Sequence, residues 1–253
     1  MIDIPSLEAP GQVEDQPLFA EAESALIFAH EIRNLLSPLA NCAQLLLSPN
    51  LDARAQRRAA EVIGRQVRQL QRLTNDLLDA YRLDQQQLEL QRRAVDLNAA
   101  LAVICEDHRP AFSAAGIDLS VRGTSAPLLI AIDVDRIAQV VNNLLSNSLK
   151  FTDRGGKVHV SLYVDGVRRC AVIAVRDTGM GIDRAMLESI MTLGIHDPSG
   201  RNRSGLGLGL PLSKRLVELH QGELTASSEG PGKGSDFRIL LPLGVSPRES
   251  TAS

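Results

Sequence analysis

Four short clusters in this sequence combine residue types that can do chemistry. The first is His30, with Glu31 beside it and Asn34 one helical turn on. A neutral imidazole nitrogen is a competent nucleophile once a neighbouring carboxylate takes the proton from the other nitrogen. The second is NNLLSNSLKFT, residues 142–152, in which Asn143, Asn147 and Lys150 are spaced four and three apart and so share one helix face. Two amide oxygens and an ammonium on one stripe suit a Mg²⁺ ion and its phosphates, because Mg²⁺ takes hard oxygen ligands and keeps waters. The third is DTGMGID, residues 177–183, with Asp177 at the end of a β-rich run ahead of Gly179 and Gly181. An acid there can accept a hydrogen bond from an adenine amino group while the backbone passes under the base. In the fourth, Gly205, Gly207 and Gly209 alternate with leucine and open a helix. Backbone amides can approach an anion closely there, and a helix N-terminus attracts phosphate.

Each cluster also has a plainer reading. A histidine on a helix is usually a surface or core residue, and two asparagines can be a polar helix face. An Asp-Thr-Gly run can be a strand-to-helix turn, and alternating glycines can be a loop packed for steric reasons. The last is neither a Walker loop nor a Rossmann fingerprint.

The elements that must hold these residues follow from periodicity. Leu18, Ala22, Ala25, Ala29, Ile32, Leu36, Leu39, Ala43 and Leu46 repeat at alternating steps of four and three, a heptad seam. Ser48, Pro49 and Asn50 stop that helix. A second helix, from about Ala53 to Arg82, carries Ala60, Ile63, Val67, Leu70, Thr74, Leu77 and Tyr81 in the same rhythm. The pair predicts an antiparallel hairpin whose apolar stripe is half covered, so two copies are expected to form a four-helix bundle. LDQQQLELQ reads as a linker turning into a short strand. Asp96 is the expected N-cap of a helix over 97–115 that Gly116 ends. Strands are expected at 117–123 and 127–133, then a helix over 134–151. Strands at 157–164 and 169–177 flank a turn at Asp165-Gly166. A helix over 183–191, a loop over 194–204, a helix over 206–220 and strands at 222–228 and 235–243 complete the pattern. The order lacks the regular beat of a doubly wound sheet, so an α+β sandwich with helices on one face of a mixed sheet is expected. The domain limits are 1–16, a loose tail; 17–84, the hairpin; 85–244, the sandwich; and 245–253, a disordered tail.

The totals exclude several classes. The 253 residues carry a net charge of -3, which gives no global basic field for nucleic acid. The charge is uneven: residues 1–29 hold six acids and no Lys or Arg, whereas residues 54–93 hold nine Arg against five acids. The Arg-rich stretch reads first as a solvated helix face and second as a docking surface for an acidic partner. No apolar run approaches the roughly 20 residues of a membrane helix. Cys42, Cys105 and Cys170 form no metal or disulfide motif, and the start lacks a signal peptide. A cytoplasmic protein without membrane insertion is expected.

In order and approximate spacing the four clusters resemble the boxes of two-component sensor histidine kinases. HEIRN resembles the phospho-acceptor box, NNLLSNSLKFT the N box, DTGMGI the first glycine box and GLGLGL the second. The resemblance covers about residues 20 to 243. It implies a dimerisation and phosphotransfer hairpin followed by a GHKL-type ATP-binding domain. His30 would be phosphorylated from ATP, Glu31 would take its proton, and Asn34 would position a water that hydrolyses the partner's phospho-aspartate. Asn143 and Asn147 would face the triphosphate, Asn147 as the Mg²⁺ ligand, and Lys150 would touch phosphate. Asp177 would read the adenine in a pocket shaped by Gly179 and Gly181. Gly205, Gly207 and Gly209 would form the phosphate-side loop, with residues 191–204 as a mobile lid. The partners implied are a second copy, a response-regulator receiver domain and an upstream sensor protein.

The sequence departs from the family pattern at three places. Leu35 stands where proline is usual, Pro38 comes later and predicts a bend, and SIMTLGIHDPSG lacks the expected phenylalanines. Ile190, Met191 or Leu193 would take their place. Two other readings stay open: a phosphotransfer scaffold that keeps the fold without turnover, and an ATP-driven machine of the gyrase and Hsp90 type. The second is disfavoured by Asn143, where such proteins carry an acid.

Overall fold

The computed structural model describes residues 22–48, 51–187, 189–191 and 207–244. The expected tails, 1–16 and 245–253, lie outside them, as do Gly205 and the lid positions 192–204. Two helices come first. α1 (Ala22–Leu46) continues through Pro38, and Ser37 Oγ donates to the carbonyl of Arg33 at 2.9 Å just before it. α2 (Ala53–Asp84) starts on Asp52, whose carboxylate accepts the Ala55 N–H at 2.6 Å. They pack antiparallel as expected.

The seam is shared differently from its sequence reading. Leu35, outside the heptad, is buried at 5% exposure, as is Ala59 of α2 at 2%, where the two helices are packed together. Ile32, Leu36, Leu46, Val67 and Tyr81, which are in the heptad, are exposed. One face therefore closes the hairpin, and the heptad face lies largely open.

After the hairpin come β1 (Arg93–Asp96), α3 (Leu97–Ala115), β2 (Asp118–Arg122), β3 (Leu129–Ile132) and α4 (Val134–Phe151). Then follow β4 (Lys157–Asp165), β5 (Cys170–Asp177), α5 (Arg184–Leu187), α6 (Gly209–Leu219), β6 (Glu223–Ser227) and β7 (Asp236–Pro242). Asp96 and Asp133 cap α3 and α4, and Gly116 ends α3 with φ +70°. Five strands form one mixed sheet in the order β2-β4-β5-β7-β6, with only β2-β4 parallel. β1 and β3 form a separate antiparallel ribbon. The first strand thus starts at Arg93, beyond LDQQQLELQ, and the helix expected over 183–191 is only four residues long.

One sheet face supplies Val158, Val160, Leu162, Ala171, Ile173, Val175, Phe237, Ile239 and Leu241 to the core. Helices α3, α4 and α6 cover it with Leu101, Ile137, Val141, Leu144, Leu145, Leu212 and Leu216. Each such buried Val, Leu, Ile or Phe contributes about 1.5–3 kcal/mol relative to exposure. The same core takes in Ala80 and Leu83, the last apolar turn of α2. The hairpin and the sandwich are therefore joined by packing as well as by chain.

Candidate functional site

The site is built on α4. At its start, Asp133 Oδ1 accepts the Arg136 N–H at 3.2 Å and Oδ2 accepts the Gln91 N–H at 2.9 Å. The Asp133 N–H donates to Nε2 of buried His220 at 3.1 Å, and His220 Nδ1 donates to the Leu216 carbonyl at 2.7 Å. His220 is thus neutral with its proton on Nδ1, and burial pulls its pKa below the usual histidine value. Its role is to tie the end of α6 to the start of α4. His108 pairs with Asn142, and His159 with Ser120. All three are thus bonded within the fold; His196 lies outside the described residues.

One turn further, α4 meets the hairpin. Arg136 Nη1 donates to Asp79 Oδ2 at 2.6 Å, and Gln139 Nε2 donates to Asp79 at 3.0 Å and to Asp76 at 3.3 Å. Burial holds the Asp76 carboxyl above the usual carboxylate range, while the Gln139 amide pulls it down.

In the middle of α4, Asn143 faces α6. Its Nδ2 donates to Ser213 Oγ at 3.0 Å, and its Oδ1 occupies the space a side chain on Gly209 would need. The expected triphosphate face of Asn143 is therefore partly spent on holding the start of α6. Asn147 and Lys150 follow on the same face, both half-buried, with the Lys150 ammonium 4.9 Å from the centre of the Phe151 ring. Gly207 has φ +65°, and Gly209 is the first residue of α6.

At its end, α4 lies under the first glycine loop. The Met180 N–H donates to the Phe151 carbonyl at 3.0 Å, and a side chain on Gly179 would collide with that carbonyl. Asp177, at the end of β5, is 5% exposed, and both its oxygens are engaged. Oδ1 accepts the N–H of Gly179 at 2.8 Å and of Ser235 at 3.2 Å; Oδ2 accepts the Ser235 hydroxyl. A loop over 228–235 closes on the other side. Gly181 has φ +69° and leaves no room for a side chain beside the Gly230 carbonyl. Ser228 Oγ accepts the Ile182 N–H at 3.0 Å and donates to the Gly234 carbonyl at 2.7 Å.

The structure thus brings together Asn143, Asn147, Lys150, Asp177, Gly179, Gly181, Gly207 and Gly209. His30 and Glu31 fall within the helical span of α1, but their side chains lie outside the described set; Asn34 is exposed on α1. Sequence reasoning missed Ser213, Ser228, Gly234 and Ser235. A signal was present: EGPGKGSDF, with Gly230, Gly232 and Gly234 alternating just before a β-run, is the pattern that drew attention to residues 205–209. Ile190 and Met191 pack against the core, as expected of substitutes for the missing phenylalanines. Among the described residues, Cys105 and Cys170 are buried and unpaired, with burial pushing the Cys105 thiol up to about 11.

A shelf of Asp177, two glycine turns and an amide-lined helix face can hold a purine with its polyphosphate. The donor set also fits Mg²⁺. Among the described residues no cluster of three or more His, Cys, Asp or Glu could hold a metal on its own. Mg²⁺ binds through few protein oxygens plus phosphates and water, which a single amide such as Asn147 satisfies. No described helix is long and apolar enough to cross a membrane.

Comparison with known proteins places these two units in a wider set. Residues 26–86 match the His Kinase A (phospho-acceptor) domain family, and residues 132–245 match the histidine kinase-, DNA gyrase B- and HSP90-like ATPase family. The adaptive-response sensory kinase SasA of Thermosynechococcus vestitus is 33% identical over 86% of this chain and 58% of its own length. The histidine protein kinase DivJ of Caulobacter vibrioides is 34% identical over 87% of this chain and 37% of its own. This chain therefore spans only part of such relatives. The structure of histidine kinase ThkA in complex with response regulator protein TrrA superposes with a TM-score of 0.64, at 19% identity, over 88% of this chain and 62% of that one, a likeness of fold.

Proposed function

The chain belongs to the sensor histidine kinases, with a phospho-acceptor domain and an ATP-binding domain of the GHKL class, and we propose that it phosphorylates its own His30 and passes the phosphoryl group to an aspartate of a response regulator. The observation that carries this reading is the buried Asp177 carboxylate, held by three donors at the mouth of a glycine cradle beside the Asn143–Lys150 face. A fixed acceptor at the base end and amides with an ammonium at the phosphate end match adenine and triphosphate in polarity. In this reading residues 17–84 form the dimerisation and phosphotransfer unit, and residues 85–244 the catalytic unit.

The chemistry assigns each group one task. The imidazole of His30 forms the N–P bond as the bond from phosphorus to the β-phosphate oxygen breaks and ADP leaves. Glu31 takes the proton from the other ring nitrogen, which keeps the attacking nitrogen neutral and nucleophilic. Asn147 would hold Mg²⁺, whose charge offsets that of the phosphates. Asp177 fixes the base, Lys150 contacts phosphate, and Gly205, Gly207 and Gly209 let the loop approach the phosphates. Asn34, exposed one turn after His30, would position the water that hydrolyses the regulator's phospho-aspartate. ThkA, bound to a response regulator in its structure, supports the choice of partner by its fold.

The open heptad face supports a homodimer. Ile32, Leu36, Leu46, Val67 and Tyr81 are exposed on one hairpin, and a second hairpin would cover them in a four-helix bundle. The signal would arrive from an upstream sensor protein.

Incubation with labelled ATP and Mg²⁺ tests the core claim. Acid-labile label is expected on the wild type and absent from His30→Ala. Label that persists in His30→Ala refutes the acceptor. Undiminished dephosphorylation of the regulator by Asn34→Ala refutes the water-positioning role.

A further inference from the structure

We propose that Ser148 is a second base-reading residue of the nucleotide site, its hydroxyl donating to the ring nitrogen N1 of adenine beside the amino group that Asp177 accepts; this rests on the adenine reading of Asp177 given above. Ser148 is 2% exposed, and Thr152, one turn on, is 6% exposed. Among the described residues neither hydroxyl has a hydrogen-bond partner. A serine or threonine inside a helix ordinarily has one at hand, the carbonyl four residues back. Ser37 donates to that of Arg33 at 2.9 Å, and Thr74 to that of Leu70 at 3.0 Å. Ser148 and Thr152 leave theirs unused, and a buried hydroxyl without a partner costs stability.

The fold carries Ser148 to Asp177. Ile137, Val141, Leu144 and Ser148 fall within a wedge of about 60° on α4, at 100° per residue. The first three are buried in the core. Ile173, Val175 and Asp177 alternate along β5 and so share the face that the helices cover. The two rows end together, because the Met180 N–H, three residues after Asp177, donates to the Phe151 carbonyl, three residues after Ser148. Along most of their length both rows are apolar; at the last step the helix presents a hydroxyl and the strand a carboxylate. Asp177 does not use that hydroxyl. Its donors are the N–H groups of Gly179 and Ser235 and the Ser235 hydroxyl.

The base supplies what the hydroxyl lacks. Adenine presents a donor, the amino group on C6, directly beside an acceptor, N1. A carboxylate with its oxygens fixed as acceptors serves the first, and a hydroxyl with a free proton serves the second. That bond exists only in the complex, so its strength goes to binding, while the free protein bears the unpaired hydroxyl. Thr152 is placed differently. Its methyl lies where a side chain on Gly156 would stand, and the Thr178 hydroxyl flanks the same point. That sets Thr152 against the turn that starts β4 and makes it the control.

The test titrates the full chain, with Mg²⁺, against three diphosphates that the kinase reaction does not consume. They are ADP; 1-deaza-ADP, in which N1 is a C–H; and purine riboside diphosphate, which lacks the amino group. Wild type is expected to bind 1-deaza-ADP about three- to tenfold more weakly than ADP, the worth of one neutral hydrogen bond. A bond made across one water is read by the same pair. Ser148→Ala should bind ADP more weakly by that factor and no longer distinguish the two. Its melting temperature without nucleotide should be no lower than that of wild type, because the unpaired hydroxyl is gone. Thr152→Val should keep the distinction. Equal binding of ADP and 1-deaza-ADP by wild type overturns the proposal without any variant. So does an alanine variant that binds ADP like wild type, that still distinguishes the two, or that melts lower and loses affinity for all three alike. Loss of the distinction in Thr152→Val but not in Ser148→Ala overturns the assignment to Ser148. A wild type that binds purine riboside diphosphate as tightly as ADP overturns the Asp177 reading as well; one that needs the amino group but not N1 overturns Ser148 alone.

Discussion

Ser235→Ala should weaken ATP binding without dismantling the site, because Ser235 sets the orientation of Asp177 and does not build the pocket wall. The Asp177 carboxylate is 5% exposed, so water cannot replace a missing partner freely. It accepts three donors: the N–H of Gly179, the N–H of Ser235 and the Ser235 hydroxyl. The alanine variant keeps both N–H groups and removes only the hydroxyl from Oδ2. A hydrogen bond to a charged group contributes about 1.5–3 kcal/mol, and a buried oxygen left without it bears that cost. If the cost falls on the binding-competent orientation, ATP affinity drops roughly 10- to 100-fold, at about 1.4 kcal/mol per factor of ten. Isothermal titration with a non-hydrolysable ATP analogue measures this, with Ser235→Thr as the control that restores the hydroxyl. Affinity of Ser235→Ala within about twofold of wild type would refute the argument, since the predicted loss is at least tenfold. So would a threonine variant no better than alanine.

Three further outcomes follow from the packing. Asp79→Ala leaves the Arg136 guanidinium, 24% exposed, without its carboxylate between hairpin and sandwich. A loss of about 2 kcal/mol is expected, seen as a fall in Tm of about 4–8 °C, and an unchanged Tm refutes it. His220 has a folded pKa lowered by burial, so its contribution is fully present above its unfolded pKa of about 6.5 and is lost as pH falls through the folded value. Urea titrations from neutral to mildly acidic pH should show falling stability, with a flatter slope in His220→Gln; equal slopes count against it. Gly181→Ala meets both a positive φ and the Gly230 carbonyl. It should cost at least about 1–2 kcal/mol and abolish nucleotide binding, and a variant that binds ATP normally would show that the loop can shift.

Most of the fold was legible because its signals are local. Asp96 and Gly116 delimit α3 as read, α4 has the expected bounds, and the strands fall within a residue or two of the alternating runs. The misreadings share a cause: sequence shows which residues are apolar but not which neighbour covers them. Leu35, noted only as a departure from a proline, is buried in the hairpin, while Leu36 and Leu46 of the heptad are exposed and Leu39, Leu70 and Leu77 half-buried. The short α5 reflects the same limit, since apolar spacing at 183–191 is satisfied by Ile190 and Met191 packing as turns. In the site, Asp177 and its glycines were legible because their spacing is compact. Ser235 was not, because it is 58 residues away and becomes a partner only once β7 pairs beside β5.

That pairing shows why α4 is central. Its N-terminus receives the end of α6 through His220, its first turn holds the hairpin through Arg136, its middle holds the start of α6 through Asn143, and its last carbonyl carries the glycine loop. Every element bearing a site residue of the sandwich is bonded to α4 or to the strand beside it. Its inner face is Ile137, Val140, Val141, Leu144 and Leu145, all buried, which leaves the helix little freedom to shift. A change at the Asp79–Arg136 contact therefore acts on the same rigid helix that presents Asn143, Asn147 and Lys150. The hairpin contact and the nucleotide face thus lie on one helix, seven residues apart at Arg136 and Asn143.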